Sequence, residues 1–147
     1  MDRLTFATKV GLIAAALVIL GTILPWITIV DQRAGYYLIS RNGIETGGGD
    51  VVFAVRAAAV VGGLGLITGR HGFLYLAPLM GILIVSIGWA NLGAVADRVA
   101  APSDVLASVG IGLYLLIAAG VVLTGASASD IVAARRAATK ETAPAVP

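Results

Sequence analysis

Four long apolar runs, Val10 to Val30, Val51 to Gly69, Phe73 to Ala96 and Val105 to Ala126, alternate with short polar gaps along the chain. As helices rising about 1.5 Å per residue, each is long enough to cross a hydrocarbon core about 30 Å thick. The pattern predicts an all-α integral membrane protein: a four-transmembrane-helix bundle over residues 1–126, with an extracytoplasmic loop between helices 1 and 2. The first run follows Arg3 and Lys9, as the apolar core of a signal peptide would. It exceeds the usual length of such a core, however, and no A-x-A-like cleavage site follows Trp26, so it is read as a retained span.

The gaps carry their own signals. In "DQRAGYYLISRNGIETGGGD" the Asn42-Gly43 pair between "YYLIS" and "IE" suggests a small hairpin, and Gly47 to Gly49 lead into Asp50, which suits a helix cap. As a surface this loop is either a docking face for another subunit or a mobile connection. In "DRVAAPSD", Pro102, Ser103 and Asp104 read as the start of the fourth helix. Residues 127–147 read as a cytoplasmic helical extension, capped at Ser127 or Ser129, followed by a disordered tail in "ETAPAVP".

Charge then orients the bundle. With four spans both termini share a side, which receives Arg3, Lys9, Arg70, Arg135, Arg136 and Lys140, against Arg33, Arg41 and Arg98 opposite. The positive-inside rule places both termini in the cytoplasm. Trp26 and Trp89 then fall near the outer ends of outward-running helices, where both are expected to be interface anchors. Membrane lipid is the immediate partner, and Arg135, Arg136 and Lys140 are placed to touch anionic headgroups.

Composition narrows the chemistry. Hydrophobic residues make up 59% and charged residues 12%, which fits a membrane-embedded chain, and a net charge of +2 gives no reason to expect nucleic acid as a partner. The absence of cysteine excludes disulfide chemistry and thiolate metal sites. A single histidine, His71, in the gap between spans 2 and 3 argues against a bis-histidine haem, so no cofactor or metal is expected. Every Asp and Glu lies in a loop or terminus, which disfavours a proton-coupled exporter that titrates a membrane carboxylate. Ser86 stands outside a G-x-S-x-G elbow and the histidine is predicted at the opposite membrane face, so no serine-hydrolase constellation is present and no catalytic residue is assigned.

What remains is packing and one buried charge. Gly65 and Gly69 form a GxxxG pattern, and Ala58 with Gly62, Ala59 with Gly63, Ala77 with Gly81, and Ser108 with Gly112 give similar small faces. Small faces let helices approach closely in lipid, either within one bundle or between copies in a homo-oligomer. Inside the spans the polar groups reduce to Arg56, Asn91 and Tyr114. Arg56 either snorkels to the outer headgroups or forms a partner contact, inward to Asn91 or Asp97 or outward to another subunit.

The motifs "GTILPWITI", "GIETGGGD" and "SVGIGLYLLIAAGVVL" occur in that order between Gly21 and Leu123. In this the chain resembles small four-span membrane proteins common in actinobacteria, a group without a shared assigned activity. It departs from them in having "GGGD" where a Gly-Asp-Gly turn is more typical. The resemblance implies a bacterial plasma-membrane location and a four-helix fold, and transfers no catalytic residue. The expectation is a non-enzymatic accessory or structural subunit of a larger bacterial plasma-membrane complex, respiratory or transport in kind. The competing expectation is a small transporter or channel acting as a homo-oligomer.

Overall fold

The computed structural model describes residues 5–31, 37–68, 75–100 and 105–141. Its elements in chain order are α1 (Phe6–Ile23), β1 (Pro25–Asp31), β2 (Tyr37–Asn42), α2 (Gly43–Gly47), α3 (Gly49–Thr68), α4 (Leu76–Ala100), β3 (Val105–Val109) and α5 (Ile111–Glu141). Four of the helices, α1, α3, α4 and α5, are long and apolar enough to cross a membrane, so the predicted four-helix membrane bundle is the observed architecture. They pack in a ring, α1 against α3, α3 against α4, α4 against α5 and α5 against α1. The axis is filled by Ala14, Val18, Val55, Ala59, Leu66, Ala77, Ile84, Leu113, Leu116 and Leu123.

The largest departures from the sequence reading lie at one end of the bundle. The first helix stops at Ile23 rather than Val30, and Pro25 to Asp31 form a strand. Pro25 lacks an amide donor and the β-branched Ile27, Thr28, Ile29 and Val30 suit an extended chain, so an apolar run continues while its conformation changes. Val105 to Val109 likewise form a strand, and the last helix begins at Ile111. Ser108 and Gly112 therefore do not share a helical face. Asn42-Gly43 is not a hairpin turn: Asn42 caps α2, its side chain accepting from the amides of Ile44 (3.1 Å) and Glu45 (3.2 Å), while Glu45 accepts from the Asn42 amide (3.3 Å). This reciprocal capping box uses the spacing Asn-x-x-Glu. Asp50 lies within the first turn of α3, where a carboxylate complements the helix dipole, and is not its cap.

The strands join into one antiparallel sheet of order β2-β1-β3, so β1 is central. Ile27 pairs with Arg41 on one side and Val109 on the other, and Ile29 with Ile39 and Ala107. The two connections at this end of the bundle thus fold as one unit that closes it. Pro102, Ser103 and Asp104, read earlier as a helix start, lie outside the described residues and precede a strand.

At the opposite end, the carboxylate of Asp130 accepts from the hydroxyls of Thr5 (2.7 Å) and Thr8 (2.9 Å), fastening the start of α1 to α5. Eleven residues of α5 continue past this contact, about 16 Å of helix. Neither Ser127 nor Ser129 caps a new helix: their hydroxyls donate to the carbonyls of Leu123 (2.6 Å) and Gly125 (2.9 Å) within one continuous α5. The tail beyond Glu141 lies outside the described residues. Arg135 reaches across to Tyr75, donating to its hydroxyl (3.2 Å) and stacking 5.8 Å from the ring centre.

Small residues set the helix spacing. Gly81 packs on Gly120 and Thr124, Gly62 on Met80 and Leu123, and Gly112 on the carbonyls of Leu24 (2.7 Å) and Gly21 (2.8 Å) from the place its Cβ would occupy. These contacts lie within one chain, so the small faces at Gly62, Gly81 and Gly112 serve the bundle. Gly65 is buried in α3, and Gly69 lies outside the described residues.

Candidate functional site

Arg56 stands seven residues into α3, about 10 Å from its start. It is half-buried, and its Nε donates to the hydroxyl of Thr22 on α1 (2.9 Å). Thr22 is wholly buried and its own hydroxyl donates to the Ile19 carbonyl (2.7 Å). Neither inward partner expected from the sequence, Asn91 or Asp97, is used: Arg56 bonds to Thr22 instead, and the Asn91 side-chain N–H donates to the Ile87 carbonyl (2.8 Å) one turn back on its own helix. The Thr22 contact lies 34 residues away in sequence and becomes visible only when α1 and α3 pack. A guanidinium has five N–H donors, of which the Nε–H is the one bonded to Thr22.

The two tryptophans separate. Trp89 is 65% exposed on α4. Trp26 is fully buried, its indole N–H donating to the Gly21 carbonyl (2.9 Å), and it is a core residue instead of an anchor. The reason is the early end of α1: Trp26 sits in β1, where the chain folds back over the bundle. Gly43, at the start of α2, comes so close that a Cβ would meet the indole at 2.7 Å.

Helix contacts place the remaining amphipathic groups at a common level. Gly21 of α1 packs on Gly112 and Leu116 of α5, and Gly88 of α4 on Leu116 and Ile117. Trp89, Arg56 with its partner Thr22, and the exposed Tyr114 therefore lie within about a turn or two of one another in depth, forming a band just below the sheet.

Beyond that band, between the inner face of the sheet and helices α2 and α4, lies a half-open cavity of about 310 Å³. Ile27, Ile29 and Ala107 line its apolar side, while Arg41, Glu45, Thr46 and Arg98 supply the polar side. Two of these polar groups are already committed: Glu45 to the α2 capping box, and the Thr46 hydroxyl to the Asn42 carbonyl (2.9 Å). Arg41 and Arg98 are exposed and have no hydrogen-bond or ion-pair partner among the described residues. Sequence reading counted both as loop charges; their convergence depends on the register that sets Arg41 opposite Ile27 and on the length of α4.

No known protein-family model matches the chain, and comparison with curated proteins finds no significant match.

Proposed function

We propose that this chain is a non-catalytic accessory subunit of a larger bacterial plasma-membrane assembly, with the sheet on the extracytoplasmic side and both termini in the cytoplasm. The observation that carries the reading is the division between a solid membrane part and an ordered polar cap. Val18, Val55, Ile84, Leu116 and Leu123, all at 0% exposure, occupy the bundle axis, an interior built for packing and not for passage. The cap is a folded sheet with charged side chains, assembled from two separate connections. The resemblance to small four-span actinobacterial proteins and the bias of Lys and Arg support the location and orientation. The transporter or channel reading is less well supported, since the axial residues are apolar.

The direct test is gentle solubilisation from native membranes followed by mass identification of co-migrating proteins. A reproducible set of membrane-complex subunits is expected; a lone monomer or homo-oligomer in several mild detergents would overturn the reading. Within it, Arg56 is assigned the contact with a neighbouring subunit in the membrane. Arg56→Leu is expected to leave insertion intact, because Thr22 keeps its bond to Ile19, and to reduce co-purification of the larger assembly several-fold. Unchanged association in that variant would make Arg56 an interfacial anchor only.

The orientation has its own test. The chain has no cysteine, so single ones report cleanly. Ser40→Cys, exposed on β2, is expected to react with an impermeant thiol reagent in intact cells, and Ala138→Cys, exposed on the extension of α5, is not. Reversed labelling would invert the topology.

A further inference from the structure

The cavity beneath the sheet has a composition that the accessory-subunit reading does not use. We propose that it binds a phosphate-type oxyanion carried on a small organic group, a phosphomonoester or phosphodiester, held by Arg41 and Arg98. This inference stands apart from the assembly reading.

Its first support is charge. Two guanidinium groups and one carboxylate line the cavity, leaving one positive charge in excess, and the carboxylate already accepts from the Asn42 amide. Both arginines lack a partner among the described residues, so their donors are free for a ligand. Arginine offers planar, forked N–H donors that suit phosphate oxygens. A cation in the last turn of α4 also complements that helix's dipole, which accounts for Arg98 alone. It does not account for Arg41, which comes from a strand on the other side of the same cavity.

The second support is shape and lining. At about 310 Å³ the cavity is at the lower end of small-molecule sites, enough for a phosphate with a few carbon atoms. Ile27, Ile29 and Ala107 offer those carbons an apolar wall, which a bare inorganic ion would not need. The wall belongs to the central and third strands, and the Asn42-capped helix α2 closes one side, so the lining is held by regular structure.

The test uses the full chain purified in mild detergent, with native mass spectrometry counting retained ligands. The probes are phosphatidylglycerol, phosphatidylcholine, glycerol phosphate, inorganic phosphate and acetate. Wild type is expected to retain one phosphoester ligand per chain, and Arg41→Gln with Arg98→Gln together to weaken it at least tenfold. Arg41→Gln alone, which leaves the last turn of α4 untouched, is expected to weaken it several-fold. Glu45→Gln keeps the capping geometry but removes the negative charge, so retention should rise several-fold, a change that a purely structural role would not produce. Retention of phosphatidylglycerol with no displacement by glycerol phosphate assigns the ligand to the bilayer, and displacement by glycerol phosphate assigns it to a soluble phosphoester; both support the site. Equal retention by wild type and the double variant, or competition by acetate as strong as that by phosphate, would overturn it.

Discussion

Trp26→Ala is expected to destabilise the protein by about 3–5 kcal/mol, the range for removing a large aromatic side chain from a packed core. Trp26 is the largest of the fully buried side chains, and it lies where α1 ends, β1 begins and α2 crosses. Its removal leaves a void under the sheet and frees the Gly21 carbonyl from its indole partner. Trp26→Phe keeps a six-membered aromatic ring but loses the hydrogen bond and part of the indole, and should cost less, about 1–3 kcal/mol, the scale of a buried acceptor left unpaired. Thermal melts in mild detergent separate the two. Trp89→Phe provides the contrast: an exposed ring exchanged for another should leave the melt unchanged. In that background the remaining indole should resist quenching by acrylamide. Quenching as efficient as that of a surface indole, or a Trp26→Ala melt within a degree or two of wild type, would show that Trp26 is not a core residue.

Gly110→Ala is expected to be nearly as damaging, at about 3 kcal/mol, the upper end of overpacking costs, although it adds one methyl group. Gly110 joins β3 to α5, and its amide donates to the Trp26 carbonyl (2.7 Å). A Cβ there would run into the carbonyl of Pro25, and backbone cannot swing aside as a side chain can. The same exchange at Gly93, where nothing lies within 4 Å, should stabilise α4 by about 0.5–1 kcal/mol through the lost flexibility of glycine. Opposite signs for one chemical change are the signature of the backbone contact. A neutral Gly110→Ala would mean that Gly110 does not lie against Pro25.

Hydropathy revealed the four helices because a span needs length and apolarity, and both are local properties of the chain. The same property concealed the strands. Pro25 to Val30 and Val105 to Val109 are as apolar as the helices they adjoin, and only the proline and the β-branched residues mark the change of conformation. The capping box was readable from Asn42 and Glu45, but the Asn-Gly pair within it also signals a hairpin turn, and the competing signal misled. Trp26 and Trp89 occupy similar sequence settings and have opposite environments, which only the fold of β1 over the bundle decides. The Arg56–Thr22 contact and the convergence of Arg41 with Arg98 are tertiary, joining residues far apart in sequence.

The strand order carries a consequence in time. β1 emerges early, between the first and second membrane crossings, yet one of its two neighbours, β3, lies between the third and fourth. During synthesis the β1–β2 pair can form as soon as the first connection is made, leaving one edge of β1 with unsatisfied amides and carbonyls. That edge waits until two further helices have inserted and β3 arrives to cover it. Completion of the sheet therefore registers that the chain has made its third crossing, and a nascent protein stalled after its second crossing would display an open strand edge, the kind of feature by which quality control can distinguish unfinished chains from finished ones.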